Sequence, residues 1–322
     1  MQPTPQPQKP SEPPLVTIGI PCFNAALWIA GAVQSALDQT WSRKEIVVID
    51  DGSTDDSLAV LKEKFRDLIR IETGPNRGVN SARNTILRLA RGEWIQYIDA
   101  DDYLLPQKIE TQFREAAPIE NADVIYSPIL LETWRDGAPQ PLEIEPIDAA
   151  LDVYAQCLAW QLPQTSGAIW RKTALEKIGG WDENRAQMCD EHDCYQRALK
   201  LGARFIFTPT PSAVYRIWSE NTRCRGANAR GVIASRTAVC ESLRAWLRER
   251  GLWNEQHRRA MGRALLEMAR TLAKDDLDSA EKYHAERRGD FHLAGPAAPW
   301  RYRLFYRALG FRRAEKLARV LR

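Results

Sequence analysis

The chain has 322 residues, enough for one large domain or two small ones with a substantial core. Its 45 basic and 42 acidic residues leave a net charge of +3, so the overall charge gives no reason to expect a nucleic-acid partner. No apolar run approaches the ~20 residues of a membrane span, and the six cysteines lack the C-x-x-C spacing of a zinc site, which indicates reduced thiols in a cytoplasmic protein.

Composition divides the chain into three regions. Residues 1–14 are rich in Pro and Gln without the apolar core of a signal peptide, and we expect a disordered tail. Residues 15–220 carry strand and helix patterns and form the predicted main domain. Residues 221–322 show only helical patterns and form a predicted Arg-rich C-terminal extension.

Strand and helix patterns alternate between residues 15 and 98. Short apolar runs predict strands at 15–20, 45–49, 68–71 and 94–98. Apolar residues at helical spacing predict helices at 26–39, 55–65 and 79–89, and Asn24 is the expected N-cap of the first. This βαβαβαβ order predicts an α/β fold, with a mostly parallel sheet flanked by helices.

The pattern is less regular after residue 98. Further strands are predicted at 124–126, 129–131, 168–170 and 204–207. A helix is predicted at 190–201, and only amphipathic helices are predicted beyond residue 219.

Three carboxylates stand directly after the fourth predicted strand: Asp99, Asp101 and Asp102. Such a strand delivers them to the carboxyl edge of the sheet, where ligands bind in open α/β folds. Crowded carboxylates repel one another, and Mn²⁺ or Mg²⁺ is the simplest compensating charge. We therefore predict a divalent-cation site here; the alternative is a solvated acidic turn that caps the following helix.

Two more polar loops are predicted at the same edge, Pro21-Cys22-Phe23-Asn24 after the first strand and Asp50-Asp51-Gly52-Ser53-Thr54-Asp55 after the second. A carboxylate such as Asp51 can accept a hydrogen bond from the ring N–H of uracil, and it suits a base better than a phosphate. The alternative is a turn in which a hydroxyl caps the next helix.

Arg83 lies in the first turns of the predicted helix at 79–89, after Asn76-Arg77-Gly78. The open N–H groups of a helix N-terminus favour anions. Arg83 can therefore clamp a pyrophosphate or hold Asp99 in place; the alternative is a purely structural ion pair.

A later acidic segment, Asp190-Glu191-His192-Asp193, follows the motif Gly179-Gly180-Trp181-Asp182-Glu183. A carboxylate in a partly dry cleft can take a proton from an attacking hydroxyl. Both Asp190 and Glu191 share a helical face with Cys194, so periodicity does not choose between them as the base, and Asp190 is alternatively only an N-cap. His192 lacks obvious partners and is expected to be non-catalytic.

These motifs, in this order between residues 15 and 216, resemble the family-2 inverting glycosyltransferases, which are nucleotide-diphospho-sugar transferases with the GT-A fold. The resemblance rests on the two loops after the first strands, on Asn76 and Gly78 with Ala82-Arg83-Asn84, on Asp99-Ala100-Asp101-Asp102, and on the Gly179–Glu183 motif. It implies a GT-A (Rossmann-like), mostly parallel sheet flanked by helices, with the helical extension following it.

The resemblance also implies residue roles. Asp51 would contact the base, Asp99 the ribose or diphosphate, and Asp101 the metal as the second acid of a D-x-D motif. The donor site would further include Pro21, Phe23, Asn24 and Arg83. Glu191 takes the place of the base, but the family's pair is often Glu-Asp and here it is reversed, so Asp190 remains a candidate. Trp218 stands where the family often has a histidine, after Tyr215-Arg216.

The expected activity is metal-dependent, inverting transfer of a sugar from a nucleotide-diphosphate donor, UDP above all, to a glycan or lipid-linked acceptor in cell-surface polysaccharide synthesis. Two alternatives remain open. One is a phosphotransferring hydrolase with an Asp nucleophile, although Tyr103 replaces the small hydroxyl residue which that chemistry generally wants. The other is a non-catalytic sugar-nucleotide-binding protein.

The end of the chain is basic. Residues 287–322 hold ten Arg or Lys and two acids, a net charge of +8, and Arg alternates with aromatic and leucine residues from Trp300 onward. This composition is typical of an interfacial helix, through which residues 296–322 would contact the inner face of a membrane. The alternative is an ordinary amphipathic helix packed on the main domain. Charge without a binding motif argues against nucleic acid.

Overall fold

The computed structural model describes residues 12–184, 189–218 and 229–320. Most of the predicted N-terminal tail and the predicted boundary at 220/221 lie outside these residues. At the end of the tail region, the carbonyls of Pro13 and Pro14 accept hydrogen bonds from Arg43 and Trp41. No helix in the described ranges is both long and apolar enough to cross a membrane.

The strands follow the apolar runs of the sequence. They are β1 Val16–Cys22, β2 Lys44–Asp50, β3 Arg70–Thr73, β4 Trp94–Tyr97, β5 Tyr103–Leu104, β6 Val124–Tyr126, β7 Ile129–Arg135, β8 Ala138–Pro139, β9 Glu143–Glu145, β10 Ala168–Arg171, β11 Phe205–Phe207 and β12 Ala213–Ile217.

The helices alternate with the first strands and then dominate the C-terminal part. They are α1 Ile29–Leu37, α2 Ser57–Phe65, α3 Val79–Leu89, α4 Lys108–Glu115, α5 Val153–Leu158, α6 Lys172–Lys177, α7 Asp190–Lys200, α8 Ala229–Glu249, α9 Glu255–Asp275, α10 Leu277–Glu286 and α11 Trp300–Val320. Short 3-10 turns stand at Ile119–Asn121 and Thr165–Gly167.

Among the described residues, the main sheet has seven strands in the order β11-β6-β10-β4-β1-β2-β3. Its pairs are parallel except those that β10 makes with β4 and β6. The predicted α/β fold with a mostly parallel sheet is therefore confirmed. Because β1, β2 and β4 run parallel, the loops that follow them meet at one edge.

A second, smaller sheet, in the order β5-β12-β7-β8, lies beside that edge. Strand β12 pairs parallel with β7 and antiparallel with β5. Since β5 begins at Tyr103, this sheet holds the chain immediately after Asp101 and Asp102.

Alternate residues of the central strands pack on opposite faces of the main sheet. Ile46 and Val48 of β2 belong to one core cluster, whereas Val47 and Ile49 belong to the other. Burying each such side chain contributes about 1.5–3 kcal/mol. The second cluster continues into α8 and α9 through Leu243 and Leu265, so the C-terminal helices share a core with the sheet.

The predicted start of the first helix at residue 26 is wrong, because α1 begins at Ile29. Asn24 is not its N-cap: it has a left-handed backbone (φ 49°) and its side-chain oxygen accepts from the backbone N–H of Thr54 at 2.8 Å. Asn24 thus joins the loop after β1 to the loop after β2.

Candidate active site

The loops after β1 and β2 are joined by hydrogen bonds. The backbone N–H of Asn24 donates to the hydroxyl of Ser53 (3.0 Å), and that of Ala26 donates to Asp55 (3.1 Å). Along the first loop, Pro21 is buried, Phe23 is half-buried and Asn24 is exposed. Phe23 and Asn24 therefore lie where a ligand at the sheet edge would meet them.

Asp51 organises the neighbouring loop. Its two carboxylate oxygens accept from the backbone N–H groups of Arg77 (2.9 Å) and Gly78 (2.8 Å), which lead into α3, and Asp51 is only 7% exposed. Gly52 follows with φ +73°, and a Cβ on it would come within 2.7 Å of the backbone nitrogen of Asn76. The close approach of the two loops therefore depends on this glycine.

Arg83 is a buried cation beside the acidic loop. One of its terminal nitrogens, Nη2, donates to Asp99 (2.8 Å) and to the hydroxyl of Thr165 (3.1 Å), and its guanidinium lies 4.4 Å from the ring centroid of Trp181. Burial lowers the pKa of Arg83, but the carboxylates of Asp99, Glu191 and Asp190 outweigh it and raise the pKa above its ordinary value. The structure thus pairs Arg83 with Asp99.

The Gly179–Glu183 motif supplies the aromatic ring, Trp181, that packs against Arg83. The side chain of Asn84 accepts from the backbone N–H of Trp181 (2.8 Å) and donates to its carbonyl (2.9 Å), which fixes that indole against α3. In this chain the motif therefore holds the Trp181 ring in contact with the guanidinium of Arg83.

Asp101 is held on both sides. Its carboxylate accepts from the indole Nε1 of Trp218 (3.1 Å), and its backbone carbonyl accepts from Arg216 (3.2 Å). Burial, and next the charge of Asp99, raise the pKa of Asp101. Asp102 is buried and accepts from the backbone N–H of Arg216 (3.0 Å), and burial followed by the charges of Asp101 and Asp99 raises its pKa well above the ordinary value. These three acids therefore form an electrostatically strained cluster.

Arg216 anchors this cluster to the small sheet. It donates to Glu132 (3.0 Å), which also accepts from the hydroxyl of Tyr103 (2.8 Å), and its guanidinium lies 5.2 Å from the ring centroid of Trp28. Arg216 thereby connects the residue before α1 with strands β5, β7 and β12 around the acidic loop.

The residues present suit a divalent cation only in part. Within the described ranges, no three His, Cys, Asp or Glu side chains are grouped as a protein-only site requires. The mutual repulsion of Asp99 and Asp101 nevertheless favours a cation, and Mg²⁺-type ions commonly take one or two carboxylates together with substrate phosphates. The site therefore fits a cation that is completed by a bound diphosphate.

Glu191 and Asp190 open α7 at the far side of Arg83. Glu191 is half-buried and its Oε1 accepts from the hydroxyl of Thr165 (2.6 Å), whereas Asp190 is 7% exposed and its Oδ2 lies 3.9 Å from Arg83. Glu191 is thus the more accessible of the two candidate bases.

His192 is packed among aromatic side chains. Its ring is buried and stacks on Trp160 at a centroid distance of 3.7 Å, and burial, aided by the charge of Arg236, lowers its pKa to about 3. That His192 takes no part in catalysis stays a prediction.

Sequence reasoning did not single out Thr165, Glu132 or Trp28. No local motif surrounds Thr165 or Glu132, and the partners that join them to the site lie far along the chain: Arg83 and Glu191 for Thr165, and Tyr103 and Arg216 for Glu132. The Tyr215-Arg216-Ile217-Trp218 segment was visible as a deviation from the family pattern, but its contacts with Asp101 were not.

The amino-acid sequence matches the family model described as glycosyl transferase family 2 over residues 17–177, half of the chain. Chondroitin synthase of Escherichia coli is 43% identical over 99 residues, which are 30% of this chain and 14% of that protein. The Escherichia coli β-1,3-glucosyltransferase WfaP is 39% identical over 99 residues, 30% of this chain and 39% of that enzyme. The chain thus spans well under half the length of these relatives.

Solved structures share the fold. TarS of S. aureus in complex with UDP-GlcNAc superimposes with a TM-score of 0.62 at 17% identity, covering 96% of this chain and 92% of that one. The mannosyltransferase PcManGT of Pyrobaculum calidifontis, in complex with GDP-Man and Mn²⁺, gives 0.53 at 19% identity, covering 97% and 87%. The chain belongs to glycosyl transferase family 2 and is a glycosyltransferase with the GT-A fold.

Proposed function

We propose that this enzyme transfers a sugar from a UDP-sugar to an acceptor hydroxyl, with inversion and with the help of Mn²⁺ or Mg²⁺. The observation that carries the proposal is the strained pair Asp99 and Asp101 beside the buried Arg83. Ligands bind at this edge of open α/β sheets, and a pair of carboxylates there is well suited to hold a divalent cation together with a diphosphate.

The donor would lie across the carboxyl ends of β1, β2 and β4. Asp51 would accept from the uracil N–H, while Pro21, Phe23 and Asn24 would border the base. Asp99, held by Arg83, would contact the ribose or diphosphate. The structural neighbours bind UDP-GlcNAc and GDP-Man, which supports a nucleotide-sugar donor of this kind.

Asp101, with Asp99, would hold the cation. When bound, a divalent cation stabilises the negative charge that develops on the departing diphosphate. Trp218 and Arg216 keep the Asp101 carboxylate and backbone in place for that contact.

Glu191 would be the general base. It reaches the cleft more openly than Asp190, and Thr165 fixes one of its oxygens. The base would take the proton of the acceptor hydroxyl on the face of the sugar opposite the diphosphate, so that in-line displacement inverts the anomeric carbon. Removing it should lower the rate by ~10²–10⁴-fold.

The acceptor would be a glycan or a lipid-linked glycan in cell-surface polysaccharide synthesis. Chondroitin synthase and the diphosphoundecaprenol-directed WfaP are relatives whose names support this class of acceptor. We also propose that residues 15–220 form the catalytic domain and that residues 221–322 form a C-terminal extension.

The extension would hold this cytoplasmic enzyme on the inner face of the membrane. Of the basic residues in 296–322, Arg312 and Arg319 bind Asp278 and the end of α9. Trp300 (60% exposed) and Leu304 (55% exposed) instead share an outward face of α11 with Arg301, Arg303 and Arg307, which are also exposed. Apolar side chains ringed by Arg suit an anionic bilayer.

Vesicle sedimentation tests the membrane contact. We expect binding to vesicles with anionic phosphatidylglycerol, little binding to neutral phosphatidylcholine, and loss of binding in Trp300→Ala/Leu304→Ala. Leu252→Ala, at another exposed leucine, is the matched control. Equal binding by the double variant and the wild type would refute the proposed face.

A transfer assay tests the function itself. Nucleotide sugars are supplied with a diphosphoundecaprenol-linked or free oligosaccharide acceptor, with Mn²⁺ or with chelator, and the anomeric configuration of the product is read by NMR. We expect cation-dependent transfer with inversion that Asp101→Ala abolishes. UDP binding without turnover on any acceptor would favour a binding protein, and a trapped aspartyl phosphate would favour a hydrolase.

A further inference from the structure

A continuous line of hydrogen bonds joins the two halves of the site. Arg83 Nη2 donates both to Asp99 (2.8 Å) and to the hydroxyl of Thr165 (3.1 Å), and that hydroxyl in turn contacts Glu191 Oε1 (2.6 Å). Thr165 therefore links Arg83, the residue that holds Asp99, to the carboxylate of Glu191 in the first turn of α7.

The chemistry of Arg83 fixes the direction of each bond. A guanidinium can donate but cannot accept, so the oxygen of Thr165 must accept from Arg83. The single hydroxyl hydrogen of Thr165 is then directed to Glu191 Oε1. This bond holds Oε1 as an acceptor and so restricts the orientation of the whole Glu191 carboxylate.

The turn that carries Thr165 is rigidly held. Thr165 is 3% exposed and begins the 3-10 turn Thr165–Gly167. The side-chain amide of Gln96 donates to the carbonyl of Ser166 (3.0 Å), and that of Gln112 donates to the carbonyl of Gly167 (3.1 Å). These two buried amides hold the backbone of the turn against β4 and α4, directly after Thr165.

We propose that Thr165 is a positioning residue that orients Glu191 for proton abstraction. The inference rests on the proposed role of Glu191 as the base. It assigns to Thr165 an effect on turnover through Glu191, with donor affinity left largely to Asp99 and Arg83.

Thr165→Val removes the hydroxyl at nearly constant volume, and Thr165→Ser keeps it. Because a displacement of ~1 Å in a reacting group costs up to ~10²-fold in rate, we expect Thr165→Val to lower kcat by about 10–100-fold. The Kd of UDP, measured by calorimetry with Mn²⁺, should stay within about twofold, and Thr165→Ser should recover most of the rate. A parallel rise in the Kd of UDP would instead mean that Thr165 acts through Asp99, and would overturn the inference.

A double-mutant cycle with Glu191→Gln provides the decisive comparison. If Thr165 acts through Glu191, Thr165→Val should lower the residual kcat of Glu191→Gln by less than about twofold. A full additional loss contradicts the inference. Near-wild-type kcat in Glu191→Gln alone would refute the proposed base, whereas an inactive Glu191→Gln beside a fully active Thr165→Val would refute only the role of Thr165. Melting temperatures control for folding, and Thr165→Ala replaces Thr165→Val in the cycle if the valine variant unfolds.

Discussion

The indole Nε1 of Trp218 donates a hydrogen bond to the carboxylate of Asp101 at 3.1 Å. The ring centroids of Trp218 and Trp28 are 6.2 Å apart. Trp218 is 43% exposed, so its ring closes the outer side of the acidic loop while remaining in contact with solvent. A neutral donor at this place orients Asp101 without adding a charge that would compete with a cation.

Trp218→Phe should therefore weaken the binding of the cation while it changes the stability of the fold less. The ring can still pack on Trp28, but Asp101 loses its donor, and we expect the Mn²⁺ concentration for half-maximal transfer to rise by about 3–10-fold, in line with ~1 kcal/mol for one hydrogen bond. Trp218→His, which keeps a ring N–H, should recover part of this loss. Unchanged Mn²⁺ dependence in Trp218→Phe would show that the bond does not matter for the cation.

Arg83→Lys should lower donor affinity, although the charge is kept. An ammonium is a point donor and cannot reproduce the planar guanidinium that reaches Asp99 and Thr165 together and stacks on Trp181. We expect the Kd of UDP to rise by about tenfold or more. Arg88→Lys, an exposed arginine of the same helix, is the matched control and should leave the Kd unchanged.

Gly52→Ala should damage the loop that holds Asp51. The residue has φ +73°, which costs an alanine about 1–2 kcal/mol, and its Cβ would approach the backbone of Asn76 to 2.7 Å. Gly137→Ala is the control, because its φ of +76° carries the same strain with no heavy atom within 4 Å of the added carbon. Both variants should lose stability in urea unfolding, but only Gly52→Ala should bind UDP more weakly. Equal UDP binding by the two would mean that the close approach of these loops does not shape the donor site.

His192 should make the protein sensitive to acid. Burial lowers the pKa of His192 to about 3 in the folded state, whereas in the unfolded chain the His192 ring is protonated near its ordinary pKa of 6.5. Between those values the unfolded state binds more protons, so the free energy of unfolding falls as the pH falls through that window. His192→Phe can keep the stacking on Trp160 and removes the part of the pH dependence that comes from His192.

The check is urea unfolding of wild type and His192→Phe at pH 7.5 and pH 4.5. The difference in free energy of unfolding between the two proteins should shift in favour of the variant by on the order of 2–3 kcal/mol at the lower pH. An identical pH response in both proteins would show that folding does not lower the pKa of His192.

The sequence was sufficient for the elements whose periodicity is local. The strands around Ile46 and Ile95, and the helices between them, follow from apolar spacing, and their parallel order brings Asp51 and Asp99 to one edge. The start of α1 was mispredicted because the side chain of Asn24 accepts a hydrogen bond from Thr54 and does not cap the helix. Thr54 is 30 residues away, and helix-capping rules consider only neighbouring residues.

The second sheet and its contacts could not be predicted in the same way. Strand β5 has two residues, and β12 pairs with β7 across more than 80 positions, so no local pattern reveals that Arg216 supports Asp101. Periodicity also left Asp190 and Glu191 equivalent. Their different burial, and the bond from Thr165 to Glu191, arise only from tertiary packing.

Calorimetric titration of UDP into wild type, Asp101→Asn and Glu191→Gln, with Mn²⁺ and with chelator, is the sharpest test of the proposed cation and nucleotide site. We expect wild type and Glu191→Gln to bind UDP much more tightly with Mn²⁺ than with chelator, and Asp101→Asn to lose this dependence, because Asp101 holds the cation. This is the result that the proposed cation site requires. Tight, Mn²⁺-dependent UDP binding by Asp101→Asn would contradict it.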